Sequence, residues 1–479
     1  MASGNFADSR SDVPALPQVD VFSMFRLGLF QMALGMMSVL TLGVLNRIMI
    51  DELKIPALIT ALVIAVHQFV SPVRLWFGQM SDSKPLFGYH RTIYVWAGAV
   101  LFALASFLAV QGIWQIGLRW QTGNISWDTW LWIVAVGGIF GLYGIAISLS
   151  STPFAALLVD ISDEDNRSQI VGVVWSMLMV GIIAGAILSS RLLRQIALDA
   201  PLTDIKAQVN NLFLIVPTLA IALCIVGTYG IEKKYSRFNL NSDNHTQKPT
   251  QREDQITFGK AMKVLTASRQ TSIFFSFLFL MSLSLFMQDA VMEPYGGEVF
   301  KMTIAQTTRL NAFFGTGTLL GLGLTGFLIV PRIGKKNTTK YGCIAVALCL
   351  ILFITSGLTA NPKALQLALA LFGFASGVTT TGALSLMLDL TATETAGTFI
   401  GAWGLAQTIA RASATVAGGG VLNIGKIMTT NPIIAYSLVF GSQAVIMVIA
   451  LSFLTQVNIA EFQRNAKDAI AAILENEFD

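Results

Sequence analysis

Long apolar runs alternate with short polar breaks along this chain. Twelve runs meet the length a bilayer crossing needs, roughly 20 mostly apolar residues. They fall at about 25–46, 57–77, 92–112, 129–154, 169–190, 211–231, 271–290, 306–330, 339–358, 364–388, 398–421 and 434–455. Each predicts a helix, because a helix satisfies its own backbone where water is absent. Glycines within them, as in GIIAGAIL and GTGTLLGLGLTG, permit close helix approach. The longest polar segment contains NSDNHTQKPTQRED and predicts a flexible linker at 232–270. The expected organisation is a tail at 1–24, a six-helix bundle at 25–231, the linker, a second six-helix bundle at 271–455, and a tail at 456–479. In that last tail Ile459, Phe462, Ala466, Ile470, Ile473 and Leu474 fall near helical spacing, which predicts an amphipathic helix. The fold class expected is an all-α membrane protein of twelve transmembrane helices in two pseudo-symmetric bundles.

Composition agrees with the pattern. Of 479 residues, 54% are hydrophobic and 12% charged, half the charged share of an ordinary soluble domain. The net charge is +4, and its basic residues lie scattered in loops, which argues against nucleic-acid binding. Lys and Arg do set an orientation. With both termini inside, and with Arg26, Arg74 and Lys340 near span ends counted as cytoplasmic and Arg309 as outer, 20 fall on the cytoplasmic side, 10 on the outer side, and Arg411 lies deep within a span. Cys224, Cys343 and Cys349 sit in apolar runs, with neither a disulfide framework nor a zinc spacing. No catalytic constellation and no GxxxxGK[ST] phosphate loop appears, so neither an enzyme nor a nucleotide-driven pump is expected, and no free-metal site. Trp114, Trp120, Trp127, Trp130 and Trp132 cluster around the loop between spans three and four, as an interfacial belt or a partner surface.

The halves repeat. LLVDISDEDNRSQIVGVVWS follows span four and LMLDLTATETAGTFIGAWGL follows span ten, so that Asp160 and Gly172 correspond to Asp389 and Gly401. Repeated six-helix halves flanking a central site are a transporter architecture. In GQMSDSKPLFGYHR, Gly78, Asp82, Lys84 and Arg91 resemble the loop motif of the major facilitator superfamily, with a stretched spacing to the basic residues; in the second half Val330 stands where the aspartate would. A carboxylate at a helix end beside basic groups makes either a fixed latch or a moving cytoplasmic gate. Asp160 and Asp389 join that candidate set.

Three stretches resemble a narrower family: FRLGLFQMALGMMSVLTLGVLNRIMIDELKIPA, HQFVSPVRLWFGQMSD, and MQDAVMEPYGGEVF continuing to KMTIAQTTRLNAFFGTGTLLG. Together they are similar to the PucC family, the bacteriochlorophyll-delivery branch of the superfamily. The resemblance implies handling of a chlorophyll-type pigment while antenna or photosystem apoproteins assemble, in the thylakoid or cytoplasmic membrane of a phototrophic bacterium. The residues alone support a membrane carrier in contact with lipid. A proton-coupled transporter of a small amphipathic solute, or a scaffold that never binds pigment, remains open beside it.

Polar groups inside spans are functional candidates by default. His67 is a candidate axial ligand for a pigment magnesium, or a histidine bonded to a neighbouring carbonyl. His67, Ser71 and Arg74 recur at helical spacing and predict one face of span two. Gln31, Gln68 and Gln407 are further ligand candidates or interhelical hydrogen-bonding groups. Arg411 would bind an acidic ligand group or pair with a buried carboxylate. On the outer side, Asp289 and Glu293 are four apart before Pro294 and two glycines, which predicts a helix end with both carboxylates on one face. Arg47 of span one lies at a similar height and is expected to meet them, closing the outer end.

Overall fold

A computed structural model describes residues 19–123, 125–162, 167–236, 269–390 and 396–458. The tail at 1–18, most of the linker and the expected C-terminal amphipathic helix lie outside the described residues. Helices occupy all twelve expected positions. Ten are long and apolar enough to cross a membrane, or eleven counting a bent pair in span two. Span eleven, Ala396–Met428, is 33 residues long and packs against spans two, seven and twelve. The chain is an integral membrane protein.

Within residues 21–235, span one (Val21–Glu52) packs on span five (Arg167–Leu192) and span six (Leu202–Thr228), while span three (Thr92–Gln121) packs on span four (Trp127–Asp160) and span six. In the second half, span seven (Arg269–Phe286) packs on spans eleven and twelve (Pro432–Gln456), and span ten (Pro362–Leu390) on span eight (Ile304–Leu324) and span nine (Lys335–Thr359). Two further contacts join the halves: span five on span eight, and span two on span eleven.

Lipid is as apolar as leucine, so close packing and polar bonds hold such helices together. Spans eight and ten show how. Gly317 and Gly321 lie against the backbone of Ala370 and Phe374, while Gly373 and Gly377 lie against that of Phe314 and Thr318. A Cβ at any of the four would meet main chain, so the two small-residue faces need each other.

The sixth span of each half is tied to the start of the third. Beyond span six, the buried Glu232 carboxylate accepts the backbone N–H groups of His90, Arg91 and Thr92 and the Thr92 hydroxyl (2.6–3.2 Å). Beyond span twelve, the Val457 carbonyl accepts from Lys336 Nζ at 2.7 Å. Span one is fixed on the same side: Asp20 caps it and also accepts the Tyr235 hydroxyl at 2.6 Å.

Four spans depart from the regular pattern, one of them span eight, which passes through a π-helical turn at Thr325–Ile329. Span one contains π-helical turns at Val39–Val44 and Ile48–Glu52. Span two ends its first helix at Phe69, passes through a 3₁₀ turn at Ser71–Val73 and resumes at Arg74–Ser83, bent by 51°. That break corrects the expected His67–Ser71–Arg74 face: His67 is half-buried and Arg74 exposed beyond the bend. Pro72 supplies the reason, since it cannot donate to a continuing α-helix. Span seven stops at Phe286, makes a 3₁₀ turn at Met287–Ala290, and a new helix runs from Met292 to Phe300. Pro294 and the glycine pair therefore belong to that second helix and do not end the first. A first-turn proline is tolerated because its missing N–H would lack a helical acceptor anyway.

Candidate functional site

The irregular stretches of spans one and seven meet at a cavity of about 70 Å³ between the halves. Gly43, Gln288, Asp289, Glu293, Asn311 and Arg411 bring its chemistry. Half-buried Arg411, from span eleven, reaches Asp289 (Nη2–Oδ2 3.3 Å) and lies over the Phe286 ring at 4.5 Å. Gln288 Nε2 donates to the other Asp289 oxygen at 2.9 Å. Glu293, 4% exposed, accepts from Asn311 Nδ2 at 2.6 Å. Its second oxygen, like Gln288 Oε1, is buried without a hydrogen-bond partner.

The expected Arg47–Asp289 pairing does not form. Arg47 is buried; it pairs with Asp51 and reaches Glu52 at 3.4 Å, both on its own helix, and donates to the Met302 carbonyl of the other half at 3.3 Å. Its guanidinium fills the space beside Gly297, where any Cβ would collide with it. Two causes divide the carboxylates that were expected to share Arg47. The break in span seven puts Asp289 and Glu293 on separate helices, and the π-turn carries Asp51 against Arg47. Spans one and seven still close this end by other contacts. Asn46 donates to the Ala290 carbonyl, and Gly43 lets the Glu293 carboxylate approach span one.

At the opposite end, Arg91 gathers three groups. Nε donates to Asp160 at 2.9 Å, Nη1 to the Ser81 hydroxyl at 2.6 Å, and Nη2 pairs with Asp82. Burial opposes the Arg91 charge, but Asp160 and then Asp82 offset this and raise its pKa above the ordinary value. Lys84 is exposed and offers its carbonyl to the Tyr94 hydroxyl, and Gly78 lies against Thr152. The Asp389 side chain lies outside the described residues.

The remaining candidates are dispersed. His67 Nδ1–H donates to the Ile64 carbonyl at 2.5 Å, and its ring lies 5.8 Å from that of Tyr143 and 6.4 Å from that of Phe140. Gln68 is buried, with the Thr415 hydroxyl 3.5 Å away across the interface between the halves. Gln31 and Gln407 are half-buried. Trp114 corrects the belt expectation: it is buried and donates to Asn210 at 3.2 Å, whereas Trp127 and Trp130 are exposed. Sequence reasoning missed Asn311, Gly43 and Glu232. Glu232 directly follows an apolar run, but nothing local distinguishes a cap from an ordinary flanking charge.

A protein-family profile described as PUCC protein matches residues 44–462. The chain belongs to the PucC family. Among curated relatives, it is 28% identical to the bacteriochlorophyll synthase 44.5 kDa chain of Rhodobacter capsulatus, over 91% of this chain and 95% of that one. It is also 28% identical to protein PucC of Cereibacter sphaeroides, over 87% and 85%. In fold it resembles the crystal structure of the nucleoside transporter NupG, with a TM-score of 0.64 at 14% identity over 91% of this chain and 98% of that one. The PucC chain thus has a major-facilitator-like fold.

Proposed function

We propose that this protein binds or hands over a chlorophyll-type pigment while light-harvesting or photosystem apoproteins are assembled. It would act as a carrier or assembly factor, not an enzyme, in a photosynthetic membrane with both termini cytoplasmic. The family match along most of the chain carries this reading. His67 fits it chemically. With Nδ1–H donated to Ile64, the lone pair for a metal resides on Nε2, and a fixed tautomer is what a ligating histidine needs. The central cavity does not fit: about 70 Å³ is far below the roughly 300–1,000 Å³ of sites for drug-sized ligands. We propose His67 as the pigment ligand, with its ring neighbours Phe140 and Tyr143 supplying apolar contact. The bound pigment would supply light absorption; the chain's part is to ligate and shield it.

The small cavity, which sets Asp289, Glu293 and Arg411 among mostly apolar lining residues, favours a second reading, a carrier for a small solute. One absorbance spectrum of protein purified from its native membrane separates them. Bound chlorophyll that falls by more than half in His67→Phe, with the protein still inserted, supports the first. Absence of pigment together with gradient-driven solute uptake in vesicles supports the second. Absence of both, with an antenna apoprotein co-purifying, leaves a scaffold.

A further inference from the structure

We infer that Glu293 is an exchangeable proton site, and that taking up a proton there favours closure between spans one and seven. Three observations carry it. First, Glu293 is buried with one oxygen bonded to Asn311 and the other without a partner. An ionised carboxylate left that way is costly, whereas a protonated one carries no charge to desolvate. Second, the basic groups nearby have carboxylate partners of their own, although the Nε of each lacks a hydrogen-bond partner. Arg47 is held by Asp51, Glu52 and the Met302 carbonyl, and Arg411 is held by Asp289. Third, the opposing pull is also present. Glu293 lies in the first turn of Met292–Phe300, and Asn311 donates to it; both favour the ionised form. Burial and the orphan oxygen favour one state, the helix turn and Asn311 the other. A group so balanced switches with modest changes in its surroundings.

The geometry links that switch to shape. Glu293 Oε1 occupies the space beside Gly43 of span one, so the carboxyl group sits in the seam between the halves. Gln288, whose Oε1 has no partner, also lines the cavity, whose size suits a few water molecules. Such water would carry protons. In the step itself a hydronium ion gives its proton to the Glu293 carboxylate; one O–H bond breaks in the hydronium, one forms on the carboxyl, and water remains. When spans one and seven separate, water reaches the carboxyl group, the ionised form is solvated, and the proton leaves. The charged groups facing it are Arg47 from span one, Asp289 from the break and Arg411 from span eleven.

The full chain reconstituted in lipid tests this by infrared titration. A protonated-carboxyl band should persist into neutral pH and vanish in Glu293→Gln. A band unchanged by that substitution, or absent from the wild type at neutral pH, overturns the assignment. A cysteine at Leu42, in the cavity wall, reports opening. The ratio of its labelling by a water-soluble thiol reagent in otherwise wild-type protein to that in Glu293→Gln should rise at least tenfold with pH, the ionisation of the cysteine itself being common to both. A rise of equal size in both overturns the coupling. Should Glu293→Gln fail to fold, Asn311→Ala replaces it. Loss of that donor should move the band's disappearance to higher pH by about one unit, and an unmoved titration overturns the site. None of these readouts involves pigment.

Discussion

Arg91 shows how little a charge pattern says without burial. Asp82 and Asp160 both bind it, but Asp82 is half-exposed and Asp160 buried. Exposed pairs contribute about 0–1 kcal/mol, whereas breaking a buried pair from one side costs about 3–5 kcal/mol. Asp160→Asn should therefore lower the melting temperature of the detergent-solubilised protein clearly, and Asp82→Asn little. Equal effects would make the Asp82 carboxylate as important to assembly as the buried one. Glu232→Ala should be costly too. It strips the start of span three of an acceptor for three backbone N–H groups, leaving buried donors at about 1–3 kcal/mol for each unsatisfied group.

Span seven and the start of span one carry the element-scale predictions. Pro294→Ala should change thermal stability by less than about 1 kcal/mol, because the proline occupies a first turn. Gly297→Ala should be far worse, since the added methyl displaces the Arg47 guanidinium; overpacking of this kind costs about 1–3 kcal/mol or more. The reverse order would mean that Pro294, not Arg47 packing, shapes this region. At the start of span one, bonds from Tyr235 and then Ser23 lower the Asp20 pKa to about 2. The folded value lies below the ordinary one. The cap's contribution is therefore complete above pH 4 and fades as pH falls towards 2. The protection of the Ser23 amide relative to its intrinsic exchange rate should fall over that window in the wild type and be low throughout in Asp20→Ala.

At the scale of the molecule, the two halves meet through few polar bonds among the described residues, so each should count. Asn46 donates to Ala290 across the seam. Asn46→Ala should raise thiol labelling of a cysteine at Leu42 several-fold while leaving the fold intact by circular dichroism. Labelling unchanged by this substitution would assign closure to apolar packing alone. The same seam holds Glu293, so removing Asn46 should also make labelling less dependent on pH.

The sequence by itself determined the twelve helices, their order and the resemblance to the PucC family. Apolar runs and spaced motifs are local, and the bilayer forces each run to satisfy its own backbone. It also singled out Asp289, Glu293, Arg47 and Arg411 as charges inside or beside spans, because any such charge is costly there. Their partners were decided by tertiary structure. The 3₁₀ break at Met287–Ala290 and the π-turns of span one move these side chains by fractions of a turn, and no residue-type pattern reports that. Arg47 consequently took Asp51, four residues along its own helix, while Asp289 took Arg411 from 122 residues away. Glu293 was left with Asn311 and one unpaired oxygen. Spacing along a chain ranks candidates for a charge pair; burial and helix geometry choose among them, because a buried charge is stabilised only by the partner that can reach it.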